Sequence, residues 1–157
     1  MLKFQIPGWG NLELHYLVLD FNGTIGCDGR LIPGVKERLE TLSQDLDVYI
    51  VSADTFGTCA EECEGIPAKL HCLDNSNVGG VQKEKFVQHL GQGNVVGIGN
   101  GANDVAMLEA CALGIAVLGD EGLCTNALTD ADLIVKNICD ALDLLIYPKR
   151  LVATLRR

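Results

Sequence analysis

Asp20, Ser52, Lys83 and the run from Asn100 to Asp104 are residues whose types share one chemistry. A carboxylate can attack phosphorus in line, a hydroxyl and an ammonium can hold phosphoryl oxygens, and amide or carboxylate oxygens can hold a hard cation that neutralises developing charge. Magnesium suits such a set, because it takes a few protein oxygens and keeps water and phosphate for the rest. Asp20 opens Asp20-Phe21-Asn22-Gly23-Thr24 and follows the apolar run Tyr16-Leu17-Val18-Leu19, which reads as a buried strand. The carboxylate therefore stands at a strand's carboxyl end, where ligands collect in open α/β sheets. Gly23 and Gly101 let backbone groups approach closely.

Each residue has a plainer reading when taken alone. Asp-Phe-Asn-Gly is good turn chemistry. Ser52 is an ordinary strand-end residue, Lys83 or its neighbour Lys85 is a solvated helix charge, and Asn103 with Asp104 suits a helix start. Whether they meet depends on the elements that carry them.

Leu2 to Ile6 and Leu12 to Leu14 flank the turn cluster Pro7-Gly8-Trp9-Gly10-Asn11, so a hairpin is expected ahead of the strand ending at Asp20. Cys27-Asp28-Gly29-Arg30 signals a second, tight hairpin, a small flap over Asp20. Pro33 is expected to open a helix through Val35, Leu39 and Leu42. A second strand, Asp47 to Val51, ends at Ser52-Ala53-Asp54, and a short helix over Thr58 to Glu64 and a third strand over Ala68 to Leu73 follow. The pattern then predicts a helix from Gln82 to Leu90 with Phe86, Val87 and Leu90 inward, a strand from Asn94 to Ile98, and a helix from Val105 to Leu113. Strands at Ile115 to Leu118 and Asp132 to Val135 and a helix over Ile138 to Leu145 complete the series. The basic tail from Lys149-Arg150 to Arg156-Arg157 reads as a solvated or docking segment. Alternation at this rhythm predicts an α/β domain, a doubly wound, three-layer, Rossmann-like parallel sheet with right-handed connections.

The 157 residues are expected to form a single domain, 1–157, able to bury a core without disulfides. With 48% hydrophobic and 21% charged residues the chain is globular rather than disordered. A formal charge of −9 argues against a nucleic-acid partner and tolerates a cation. The seven cysteines are scattered and read as reduced thiols; Cys59 and Cys63 share a helix face, but no further ligand at metal spacing completes that pair. His15, His71 and His89 are read as structural or exposed. The first residues lack the basic-then-apolar pattern of a signal peptide and no apolar run reaches about 18 residues, so the expectation is a cytoplasmic protein with no membrane partner.

Taken together, the four stretches resemble the four motifs of the haloacid dehalogenase superfamily, and look most like its small soluble members related to the P-type ATPase phosphorylation domain. The resemblance runs from Tyr16 to about Val135, in motif order. Lys83 is preferred over Lys85 because Lys83, Val87 and Leu90 match the family's lysine-x-x-x-apolar-x-x-leucine pattern. The resemblance implies that Asp20 forms an aspartyl-phosphate, with magnesium held by its carboxylate and by the backbone carbonyl of Asn22. It implies that Ser52 and Lys83 bind the phosphoryl group, with Gly23, Thr24, Ala53 and Asn103 around it. Asn100 and Asp104 belong to the metal motif, Asp104 orienting Lys83 or supporting the metal through water.

Two positions depart from the family. Asn22 stands where most of its phosphatases carry the acid that protonates the leaving group and then activates water, and an amide cannot move a proton in that way. Slow breakdown of the phospho-enzyme is expected. Asn100 stands where a metal-binding aspartate is usual; an amide oxygen binds magnesium but supplies no charge. Only 32 positions separate Asp20 from Ser52 and 31 separate Ser52 from Lys83, which leaves no room for a cap domain. Capless relatives act on large substrates or close their sites by oligomerising, so a phosphorylated substrate and a homo-oligomer are expected.

Two other functions fit parts of the sequence. The Asn22 and Asn100 substitutions also suit a catalytically degenerate regulatory or phosphate-binding module. Gly97-x-Gly99-x-x-Ala102, with Asp120 about twenty residues on, matches a dinucleotide fingerprint, although it follows three strand-helix units and leaves Asp20, Ser52 and Lys83 without a role.

Overall fold

A computed structural model of the chain describes residues 1–54, 57–74 and 79–157. The N-terminal hairpin pairs β1 (Leu2–Ile6) with β2 (Gly10–Leu14), antiparallel, with Leu2 opposite Leu14 and Ile6 opposite Gly10. Strict alternation buries Phe4, Ile6, Leu12 and Leu14 on one face.

β3 (Tyr16–Asp20) then enters the centre of a six-stranded sheet. Its partners are β6 (Asp47–Ser52) on one side and β8 (Val95–Gly99) on the other, both parallel. β7 (Lys69–Cys72) lies outside β6, while β9 (Leu113–Val117) and β10 (Leu133–Val135) extend the sheet beyond β8. All five pairings are parallel. The chain runs outward from β3 through β6 to β7 and returns to β8, so the winding reverses between β3 and β8. A crevice opens at such a switch point, outside the strands' carboxyl ends.

Both sheet faces are covered, as a parallel sheet requires. Leu17 and Leu19 of β3 point to one side, where α1 (Val35–Leu42), α6 (Ile138–Ile146), α7 (Pro148–Leu155) and the hairpin pack. Val18 points to the other, against α3 (Gly79–Leu90), α4 (Val105–Ala110) and α5 (Thr125–Asp130).

The flap is a two-residue-turn hairpin of β4 (Gly26–Cys27) and β5 (Arg30–Leu31). Asp28 and Gly29 take φ of 51° and 75°, the left-handed pair such turns need. Three hydrogen bonds fasten it: Asp28 N–H donates to Glu121 Oε1 at 2.7 Å, Thr58 Oγ1 to the Gly29 carbonyl at 2.5 Å, and Leu31 N–H to Glu62 Oε2 at 2.8 Å. Glu62 ends α2 (Cys59–Glu62).

Several elements differ from expectation. α1 begins at Val35 after Gly34, whose φ is 88°, so Pro33 precedes the helix instead of opening it. α3 starts earlier, at Gly79, and buries Lys83 and Val87 while Phe86 and Leu90 stay half-buried. α4 stops at Ala110 and Leu113 begins β9, because Gly114 lets that strand pass directly under Leu108: a Cβ there would lie 2.6 Å from the Leu108 carbonyl oxygen. α5 was not anticipated; it buries only Ala127 and has no apolar stripe to reveal it. The basic tail docks through its apolar residues while Lys149, Arg150, Arg156 and Arg157 stay exposed. Its residues form α7, with Pro148 in the first turn and Leu151 and Leu155 buried, and Arg157 N–H donates to the Pro7 carbonyl at 3.0 Å. No helix among the described residues is long and apolar enough to cross a membrane.

Candidate active site

Among the described residues the buried polar or charged side chains are Asp20, Thr24, Ser52, Lys83, Asn100 and Asp104. β3 delivers Asp20 at its last position, 5% exposed. Lys83 comes from the first half of α3, whose phase is set by burial of Val87 one turn later. Lys85 is exposed on the opposite side. Asp104 ends a 3-10 turn, Ala102–Asp104, between β8 and α4.

Lys83 Nζ donates to Asp20 Oδ1 and to Asp104 Oδ1, each at 2.5 Å. The other Asp104 oxygen accepts the N–H groups of Asn100 at 2.9 Å and Gly101 at 2.8 Å, so both its oxygens are engaged. Gly99 has no side chain because the Asp104 carboxylate fills that space. Thr24 Oγ1 lies 3.2 Å from both Asp20 Oδ2 and Asn100 Oδ1. Asn100 Nδ2 donates to the Gly122 carbonyl at 3.0 Å, and the Asn100 carbonyl accepts from Cys124 N–H at 2.8 Å. Gly23, at φ 77°, leaves the space that the Asn100 amide occupies.

Two carboxylates share one ammonium in this enclosure. Burial, and then the charge of Asp104, push the Asp20 carboxyl up to about 7 against the pull of Lys83. Burial alone would lower the Lys83 ammonium, but Asp20 and Asp104 outweigh it and hold the pKa above its ordinary value.

Ser52 sits one residue beyond Val51, which is paired with Asp20, and is 1% exposed. Its Oγ accepts from Asp54 N–H at 2.9 Å. Asp54 is held at φ 47° and its Oδ1 accepts from Cys59 N–H at 2.9 Å, which ties α2 to the loop. Ala53 and Asn103 are exposed at the rim. The Gly23 and Thr24 N–H groups close the turn, donating to the Gly26 carbonyl at 2.9 Å and the Phe21 carbonyl at 3.2 Å. Asn22 is half-buried, and its Oδ1 is buried with no hydrogen-bond partner among the described residues.

No protein-family model matches the chain. It superposes on the 3-deoxy-D-manno-octulosonate 8-phosphate phosphatase of Moraxella catarrhalis, solved with magnesium ion, phosphate ion and KDO molecule, with a TM-score of 0.66 at 14% identity. The match covers 91% of this chain and 94% of that one. The chain has the haloacid dehalogenase fold. In sequence it is 42% identical over 80 residues, 48% of its length, to the uncharacterised protein MJ0073 of Methanocaldococcus jannaschii, of which it covers 86%. The chain belongs to that protein's family. A piece of the phospholipid-transporting ATPase tat-1 of Caenorhabditis elegans is 33% identical over 75 residues, 48% of this chain and 6% of that much longer protein.

In the haloacid dehalogenase fold of this chain the glycine-rich run crosses the end of β8. The Asn100 and Gly101 amides, which a pyrophosphate would need, are already bonded to Asp104. Sequence reasoning missed Gly122, whose carbonyl orients Asn100, and Thr58, Glu62 and Glu121, which fasten the flap from up to 93 residues away. No local pattern marks any of them. Cys59 is buried and Cys63 half-buried. Among the described residues the side chains grouped at metal-binding separations are instead Cys27, Asp28 and Glu121 at the flap tip.

Proposed function

We propose that this chain is a magnesium-dependent phosphohydrolase that transfers a phosphoryl group to Asp20 and releases it slowly. The reading rests on the buried group in which Lys83 joins Asp20 to Asp104 and Thr24 joins Asp20 to Asn100. A cation fits the donor set. Thr24 has a single hydroxyl proton for two acceptors, so either Asp20 Oδ2 or Asn100 Oδ1 is left wanting, and the two carboxylates exceed the one ammonium by a charge. Asp20 Oδ2, Asn100 Oδ1 and the Asn22 carbonyl would hold it. Magnesium would neutralise charge on the phosphoryl oxygens.

The Asp20 carboxylate attacks phosphorus in line, and the bond to the leaving oxygen breaks with its electron pair going to that oxygen. Lys83 and Ser52 hold the phosphoryl oxygens. Asp104 keeps Lys83 in place, and with both its oxygens engaged it would support a bound cation by its charge and not as a direct ligand. Asn22 has no proton to lend, so leaving groups that are stable as anions, such as acyl or aryl oxygens, react best. Water then attacks phosphorus, and the bond to the Asp20 oxygen breaks with its electron pair returning to the carboxylate. Water's proton leaves on the released phosphate; with no base at position 22 to take that proton, breakdown is delayed.

Incubation with acetyl phosphate, with and without magnesium, tests this. A magnesium-dependent, acid-stable phospho-adduct on Asp20, absent from Asp20→Asn, is expected. No adduct and no turnover would leave the second reading, a phosphate-binding module without catalysis, which the amide at position 22 favours.

A further inference from the structure

Gly119 to Gly122 form a tight turn in which Gly122 N–H donates to the Gly119 carbonyl at 2.9 Å. Gly122 takes φ 87°, a left-handed angle that glycine holds at no steric cost. Each end of the turn rests on the buried group. A Cβ on Gly119 would lie 3.4 Å from the Gly23 carbonyl oxygen, and the Gly122 carbonyl accepts from Asn100 Nδ2 at 3.0 Å. Further along, Cys124 N–H donates to the Asn100 carbonyl at 2.8 Å. At the turn's tip Glu121 Oε1 accepts from Asp28 N–H, which ties the turn to the flap.

A primary amide can face either way, and its two ends do opposite things. A carbonyl oxygen only accepts, so the Gly122 carbonyl takes the NH2 end of Asn100 and turns Oδ1 toward Thr24 Oγ1, which also reaches Asp20. Oδ1 is the end a cation needs. The side chain has little room to drift, since Asn100 is 8% exposed and its amide fills the space beside Gly23. An aspartate at this position would set one of its oxygens against the Gly122 carbonyl oxygen. It would also give the Lys83 ammonium a further carboxylate to balance beside Asp20 and Asp104.

We infer that the Gly119–Gly122 turn is a positioning element for the cation site, and that the Gly122 carbonyl makes the amide at position 100 a directed ligand. This rests on the phosphohydrolase reading for the presence of a cation beside Asp20. Position 100 is thus built around asparagine rather than left with it by loss of a carboxylate.

Gly122→Val tests it. A β-branched residue does not hold a positive φ, so the turn relaxes, while a Cβ there meets nothing within 4 Å and adds no clash. In metal-free wild type the side-chain NH2 resonances of Asn100, identified by their absence from Asn100→Asp, should exchange slowly with solvent. In Gly122→Val they should exchange as fast as those of exposed asparagines. By calorimetry, Gly122→Val should raise the magnesium Kd of the wild type about tenfold, as loss of a partner that orients a ligand does. In the Asn100→Asp background, with no amide to turn, it should leave the Kd unchanged or lower it. Three results would each overturn the inference while leaving the hydrolase intact: no rise in the wild type, an equal rise in both backgrounds, as a general loosening of the site would give, or a fast-exchanging wild-type amide. If the wild type binds no magnesium, the cation reading fails and exchange alone decides. Slow exchange lost in Gly122→Val supports the positioning role; unchanged exchange overturns it.

Discussion

Lys83 Nζ and Asp104 Oδ1 stand 2.5 Å apart with both side chains fully enclosed, and the same ammonium reaches Asp20. Asp104 thus anchors both the lysine and the loop amides of Asn100 and Gly101. Asp104→Ala leaves Lys83 paired with Asp20 but strands the Asn100 and Gly101 N–H groups, at about 1 to 3 kcal/mol for each buried group left unsatisfied. The unfolding free energy in urea titrations should fall by about 2 to 5 kcal/mol. A loss under about 1 kcal/mol would show that solvent reaches the loop amides.

Burial and then the charge of Asp104 push the Asp20 carboxyl up to about 7 in the folded chain, from an ordinary value of 3.8. Between these values the folded state keeps a proton that the unfolded state has lost, so unfolding free energy declines as pH rises through that window. In metal-free protein, wild type should lose stability relative to Asp20→Asn between about pH 4 and pH 7 and change little above it. Parallel pH profiles of the two proteins in urea would refute this.

Asn22 carries a buried side-chain oxygen with no partner among the described residues, in a position beside the proposed nucleophile. A carboxylate there supplies the missing proton transfer, worth about 100-fold or more. Asn22→Asp should shorten the phospho-enzyme lifetime by that order in a chase experiment. An unchanged lifetime means that hydrolysis is not limited at this residue.

Leu151 and Leu155 join α7 to the N-terminal hairpin, both buried. Leu151→Ala should cost about 2 to 5 kcal/mol, as for other enclosed leucines. A stability within about 0.5 kcal/mol of wild type would mean that the tail does not pack there.

The local parts of this protein are legible in its sequence. The apolar run that ends at Asp20, the hairpin turns at Gly8 and at Asp28-Gly29, and the order of strand and helix units follow from periodicity and turn chemistry, which act over a few residues. Where signals were weak the reading slipped. α5 has one buried residue and no stripe, and the α4 boundary depends on Gly114 lying under Leu108.

Only the tertiary structure decided which polar groups touch. Lys83, not Lys85, is enclosed because packing of Val87 fixes the phase of α3. Thr24 reaches Asn100 across 76 residues, and Lys83 reaches Asp20 across 63. The side chain of Asn100 is oriented by its Nδ2 bond to the Gly122 carbonyl, a group without any sequence signature. The basic tail read as a solvated or docking segment, and it docks because β1 and α6 supply a face for Leu151 and Leu155. Propensity and pattern are properties of neighbouring residues. Burial of a charge and the partner it finds depend on which surfaces the sheet brings together, and that is settled only when distant segments pack.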